Sequence, residues 1–205
     1  MFTDRIDAAQ QLSKKLAAYR GCHGLVMAVP RGGVPIGAVV ARELQLPLDI
    51  VLAKKIGHPM NKEYAIASVT PDGLVYNRQL SDVDPAYLRE EGNRIIAELQ
   101  RRYALYTGGA ASAAVEGRIV LLVDDGIATG STLIAAIRGL RLRKPAKIVL
   151  AVPVAPPAAA ALFRDLADEY ICLLEPAAFG GVGEFYEDFG EVSDEEVKAI
   201  LHAAT

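Results

Sequence analysis

The sequence predicts an α/β protein, a Rossmann-like parallel sheet flanked by helices, with a hairpin lid and a C-terminal hood. Three observations predict it. Short runs rich in Val, Ile and Leu at 25–29, 48–53, 119–123, 147–152 and 170–174 have the length and continuity of strands buried on both faces. Segments with helical spacing fall between them, at 34–44, 133–142 and 157–167, so strand and helix alternate. Glycine-bearing turns follow the first and third of these strands, at the carboxyl edge where such sheets bind ligands. A chain of 205 residues supports one substantial core, so the expectation is a single domain over 1–205.

In order, residues 7–19 carry Ala8, Leu12, Leu16 and Ala17 on one side of a helix. The strand at 25–29 is broken by Pro30-Arg-Gly-Gly33, and the helix at 34–44 leads to the strand at 48–53, forming a βαβ unit. Residues 54–77 depart from this rhythm. A flexible loop with Gly57, Pro59 and Asn61 is expected first. A hairpin follows from β-prone runs at 65–69 and 74–76 around the turn Pro71-Asp-Gly73. Such an excursion from a compact core is often a lid. A long helix spans 85–106 and a surface connection 108–117. Pro156 and Pro157 open the helix at 157–167. The tail, 175–205, is expected to form a hood and then a helix whose start, Ser193-Asp-Glu-Glu196, is a capping box.

The most informative stretch is Ile119 to Thr132. A buried strand runs into Asp124 and Asp125, then into a loop with Gly126, Ile127, Ala128 and Gly130 and the hydroxyls of Thr129, Ser131 and Thr132. Glycines let the backbone approach a ligand closely, and the N–H groups at a helix start favour an anion. The adjacent carboxylates would repel a phosphate but accept hydrogen bonds from a sugar diol, or hold magnesium. A phosphorylated sugar accounts for both halves. The plain alternative is a polar turn with Ser131 as a cap.

The stretch Val123-Asp-Asp-Gly-Ile-Ala-Thr-Gly-Ser-Thr132 resembles the ribose-phosphate signature of type I phosphoribosyltransferases. The resemblance implies that fold, 5-phosphoribosyl 1-pyrophosphate as donor and Mg2+ as cofactor. Asp124 and Asp125 would hold the ribose hydroxyls, with the metal directly or through water. Ala128 to Thr132 would hold the 5-phosphate, with Gly126 and Ile127 of the same loop also binding substrate. Arg31, Gly32 and Gly33 resemble the family's pyrophosphate turn, which often carries a non-proline cis peptide, expected at Pro30–Arg31 or Arg31–Gly32. Arg31 is a bidentate donor suited to phosphate oxygens. Lys54 and Lys55 match a cationic segment that meets pyrophosphate, Lys55 in a catalytic role; His58 and Lys62 are looser matches. Ala128 stands where the 6-oxopurine members have an acid, which weakens a hypoxanthine–guanine reading.

The acceptor pocket is expected from 152–156 and an aromatic hood of Phe179, Phe185, Tyr186 and Phe189, with Phe179 or Tyr186 stacking on a flat acceptor; aromatics packing the last helix are the alternative. The whole chain is similar to small bacterial phosphoribosyltransferase-like proteins that share Pro-Arg-Gly-Gly and the closing stretch Phe189 to Glu196. That similarity supplies no acceptor.

The implied activity is transfer of ribose 5-phosphate to a nitrogen of a small nucleobase-like heterocycle, as in nucleotide salvage. The alternative is a non-catalytic regulator that binds the same donor. A net charge of −3 offers no field to draw nucleic acid or an anionic membrane, and no apolar run has membrane-spanning length. The first residues lack a signal-peptide pattern, and Cys22 and Cys172 read as buried thiols, so a cytoplasmic protein is expected. Assembly stays open between a monomer and a homodimer. A Gly-x-x-x-x-Gly-Lys loop of nucleotide kinases does not occur.

Overall fold

The computed structural model describes residues 1–76 and 83–204, the Glu63 side chain excepted. Asn77 and Thr205, the last residues of the expected hairpin segment and of the expected tail, lie outside the described residues.

Five parallel strands form the main sheet in the order β2-β1-β6-β7-β8: β1 (Gly24–Ala28), β2 (Leu48–Ile50), β6 (Ile119–Val123), β7 (Lys147–Val154) and β8 (Glu169–Leu174). Their apolar runs are continuous because helices cover both faces, and alternate residues divide between two cores. Val26, Ala28, Leu121, Val123, Val149 and Ala151 join α1 (Arg5–Lys15) and α2 (Gly33–Leu44). Leu25, Met27, Val120, Leu122, Ile148 and Leu150 join α4 (Ser131–Leu142) and α5 (Pro157–Arg164). The parallel register of β1 on β6, Ala28 opposite Val123, brings the two strand ends level.

Between β2 and β6 the chain makes a second, antiparallel sheet of β3 (Lys54–His58), β4 (Asn61–Thr70) and β5 (Gly73–Tyr76), then α3 (Pro85–Thr107). The expected hairpin is present as β4 and β5, turning at Pro71 and Asp72. The expected loop before it is instead the strand β3. Lys54-Lys-Ile-Gly-His has one aliphatic side chain, Ile56, so no alternation marked it; pairing with β4 and burial of Ile56 against the core make it a strand. Its register shifts at Gly57, where a Cβ would come within 2.2 Å of the Lys62 carbonyl oxygen, so the bulge requires glycine. Asp49 of β2 is buried and accepts bonds from the N–H groups of Ile50 and Ala113 at 2.7 and 2.8 Å and from the Tyr103 hydroxyl at 2.9 Å, tying β2 to α3 and to the connection before β6.

The tail forms a 3-10 turn at Val182–Phe185 and α6 (Asp194–Ala203), whose capping box at Ser193 and Glu196 forms as the sequence predicts. The two cysteines are free thiols, half-buried rather than buried, since Cys22 lies in the turn before β1 and Cys172 on the edge strand β8. Among the described residues no helix is long and apolar enough to cross a membrane.

The second sheet is seated on α4 at Gly139, where a Cβ would lie 2.2 Å from Thr70 Cγ2. Gly139→Ala is expected to lower stability in urea unfolding, because overpacking costs about 1–3 kcal/mol against a helix-propensity gain of about 1 kcal/mol. The same change in a Thr70→Ser background, which removes that methyl group, is expected to be neutral or stabilising.

Candidate active site

An open cleft of about 600 Å³ lies over the carboxyl ends of β1 and β6. Arg31, Gly32, Asp124, Asp125, residues 126–132, Arg5, Val182 and the tail from Phe189 to Val192 line it. The two turns abut. The peptide Pro30–Arg31 is cis, and Gly32 is the N-cap of α2, against the acids. A Cβ on Gly32 would fall 1.9 Å from Asp125 Oδ2, and one on Gly33 would fall 2.9 Å from the Val123 carbonyl oxygen. Only hydrogen fits at either place, so both glycines follow from the approach of one loop to the other.

Beyond the acids, Ile127 is anchored by its N–H on the Val154 carbonyl at 2.9 Å, while Ala128 and Thr129 are exposed. Gly130 takes a positive φ of 74°, and Phe163 would crowd any Cβ there at 2.8 Å. No side chain caps the start of α4. The Thr129 hydroxyl lies 3.3 Å from that of Ser131, so hydroxyls and helix N–H groups face the same space.

The acids are not equivalent. Asp124 accepts the Asp125 N–H at 2.9 Å through Oδ1. Burial, with the Asp125 carboxylate beside it, pushes the Asp124 carboxyl well above its usual range. Burial also raises Asp125, opposed by Arg5. Arg5 Nε and Nη2 reach Asp125 Oδ2 at 3.0 and 2.9 Å. The third guanidinium nitrogen, Nη1, donates to the Gly190 carbonyl at 2.7 Å, and the group lies 3.9 Å over the Phe189 ring. Arg31 is paired with Glu191 and lies 3.7 Å from Asp194.

Several expected residues stand elsewhere. Lys54 points to α3, with Nζ 2.6 Å from Glu98 Oε1. Lys55, in register with Ser68 on β4, is not among the residues lining the cleft. Lys62 binds the Tyr87 hydroxyl at 2.9 Å, and His58 Nδ1 accepts the Met60 N–H at 3.1 Å. The cationic segment is held by the second sheet because β3 is a strand and not a loop. Phe179 stacks on Phe185 at 5.5 Å, outside the cleft. Tyr186 is buried between Phe2 and Phe189, and its hydroxyl donates to the Asp125 carbonyl at 2.6 Å. It therefore supports the acid loop from behind and offers no free ring face for stacking. Phe189 is the hood aromatic that lines the cleft.

Sequence reasoning missed Arg5 and Glu191. An arginine after a helix cap and a glutamate before another are ordinary surface patterns; only the closing Phe-Gly-Glu stretch hinted at the second.

Together these features define an α/β protein with its cleft at the carboxyl ends of parallel strands, built from an acid pair and a glycine–hydroxyl turn. The chain belongs to the phosphoribosyl transferase domain family, whose model matches residues 2–189, and its fold is that of the type I members. It is similar to TT1426 from Thermus thermophilus, a crystal structure with 41% sequence identity and a TM-score of 0.91, covering 98% of this chain and 97% of that one. Two Mycobacterium tuberculosis proteins, from strains H37Rv and CDC 1551 and provisionally named phosphoribosyl transferases, are each 40% identical over 211 residues. The match covers 100% of this chain and 47% of theirs, so the chain spans about half the length of these curated relatives.

The desolvated acid pair weakens the empty fold. Asp124→Asn keeps the oxygen that accepts the Asp125 N–H and removes a carboxyl that burial disfavours as an anion, so it is expected to stabilise the protein at pH 7. A carboxyl raised on folding costs stability above its unfolded value and nothing below it. The gain should therefore vanish as pH falls through about 4, the ordinary carboxylate range, in thermal or urea unfolding followed across pH.

Proposed function

We propose that the chain transfers the 5-phosphoribosyl group from phosphoribosyl pyrophosphate to a nitrogen of a small nucleobase-like heterocycle and releases pyrophosphate. The observation that carries the reading is the contact of the two turns across one cleft, with Gly32 against Asp125. It sets Arg31 beside Asp124 and Asp125, with the hydroxyl and N–H loop beyond, which supports a cation for a diphosphate next to carboxylates for a diol. Asp124 and Asp125 would accept the ribose 2- and 3-hydroxyls, and residues 128–132 would take the 5-phosphate. Arg31 and the turn through Gly33 would take the pyrophosphate. The bond from ribose C1 to the diphosphate oxygen breaks, a bond from C1 to the acceptor nitrogen forms, and the proton of that nitrogen leaves to water. Positioning and stabilisation of the leaving diphosphate supply most of the acceleration in this scheme.

Magnesium is part of the proposal. Among the described residues no cluster of three or more His, Cys, Asp or Glu side chains is arranged to hold a metal. Mg2+ asks less of a protein when a diphosphate brings most of its ligands, and two carboxylates suit that share. It would neutralise charge on the departing diphosphate. A cytoplasmic enzyme of nucleotide salvage fits this chemistry.

Asp124→Asn combined with Asp125→Asn is expected to abolish calorimetric binding of phosphoribosyl pyrophosphate in the presence of magnesium; unchanged affinity would refute the assignment. The alternative, a regulator that binds the donor without reacting, gains support from the placement of Lys54 and Lys55, which leaves Arg31 as the cation of the pyrophosphate turn. Pyrophosphate release with donor and a panel of purines, pyrimidines and related heterocycles separates the two: release with one acceptor supports the enzyme, and tight donor binding with no release across the panel supports the regulator. Glu191 holds on Arg31 the place proposed for pyrophosphate. Glu191→Gln is therefore expected to tighten inorganic pyrophosphate binding about threefold to tenfold in the same calorimeter, as loss of a competing charged hydrogen bond would.

A further inference from the structure

We propose that Arg5 is a positioning residue for the sugar, fixing the carboxylate of Asp125 so that one oxygen is presented to a ribose hydroxyl. The inference rests on the donor-binding reading above and goes beyond it, because Arg5 belongs to neither turn. Both contacts of Arg5 with Asp125 fall on Oδ2, a hydrogen bond from Nε at 3.0 Å and an ion-pair contact from Nη2 at 2.9 Å. The same oxygen is walled by Gly32. Oδ2 is thus committed to the protein, and Oδ1 is the oxygen that the proposal assigns to the ligand.

The guanidinium is itself immobilised. Its three nitrogens all have partners, its face lies on the Phe189 ring, and its side chain is 12% exposed. Arg5 opens α1 immediately after Asp4, whose side chain caps the helix on the Asp7 N–H at 2.8 Å. A capped helix end therefore delivers the cation at a fixed place, and a planar, five-donor fork holds both the carboxylate and the Gly190 carbonyl at once. A group oriented in advance loses less freedom when the ligand arrives. A carboxylate released from Arg5 would be left with the repulsion of Asp124 beside it and would be free to rotate away from the diol.

The test compares three probes by calorimetry at one pH: ribose 5-phosphate, 2-deoxyribose 5-phosphate and inorganic phosphate. The proteins are wild type, Arg5→Met and Arg5→Lys. Arg5→Met keeps the apolar stem on Phe189 and is expected to weaken ribose 5-phosphate about tenfold, the scale of a charged hydrogen-bond network, with inorganic phosphate unchanged. Arg5→Lys should recover part of the loss, since one ammonium can meet Asp125 without holding Gly190 in the same plane. An equal loss for ribose 5-phosphate and inorganic phosphate assigns Arg5 a merely structural role and overturns the proposal, as does unchanged or tighter ribose 5-phosphate binding in Arg5→Met. A wild type that binds ribose 5-phosphate no better than the 2-deoxy sugar and inorganic phosphate overturns the donor reading itself. That outcome is distinct from a wild type that discriminates and an Arg5→Met that discriminates equally.

Discussion

An oxygen of Asp125 stands where the first carbon of any side chain at residue 32 would have to be. That approach of two turns is the constraint on which the rest of the molecule depends. It needs β1 and β6 to be neighbours, parallel and level at their ends, which the register of Ala28 on Val123 supplies. It needs glycine at 32 and 33. It also gathers carboxylates in a half-buried place, which must then be compensated from elsewhere. Arg5 from α1 on Asp125 and the Asp125 N–H on Asp124 are that compensation.

The helices follow from the same geometry. A sheet whose strands bury both faces has to be covered on both, and the parity of residues along β1, β6 and β7 assigns α1 and α2 to one core and α4 and α5 to the other. One helix start from each core therefore reaches the cleft, α2 at Gly32 and α4 at Gly130. Two charges in the cleft are paired internally before any ligand arrives, Asp125 with Arg5 and Arg31 with Glu191.

The parallel strands and the helices between them were legible in the sequence because continuous apolar runs and helical periods are local signals. The turn at Pro30–Arg31 and the stretch from Asp124 to Thr132 were legible because glycines, paired acids and hydroxyls seldom coincide without a shared cause. The strand β3 was not, since its two lysines, glycine and histidine carry no alternation and its pairing partner decides its conformation. That single difference moved Lys54 onto Glu98. Arg5 and Glu191 were illegible for another reason: each matters through a partner more than a hundred positions away, and nothing in the residues beside them marks that partner.

The first residues are woven into the tail. The Phe2 N–H donates to the Phe185 carbonyl at 2.8 Å, the Phe2 carbonyl accepts from the Glu187 N–H at 2.9 Å, and the Phe2 ring is buried against Tyr186. Met1, by contrast, is 77% exposed. Any polypeptide joined ahead of Met1 would leave the fold beside the tail at Phe185 and Glu187, four positions before the arginine that grips Asp125. A fused tag or domain there would hang from the short stretch of backbone that carries this arginine.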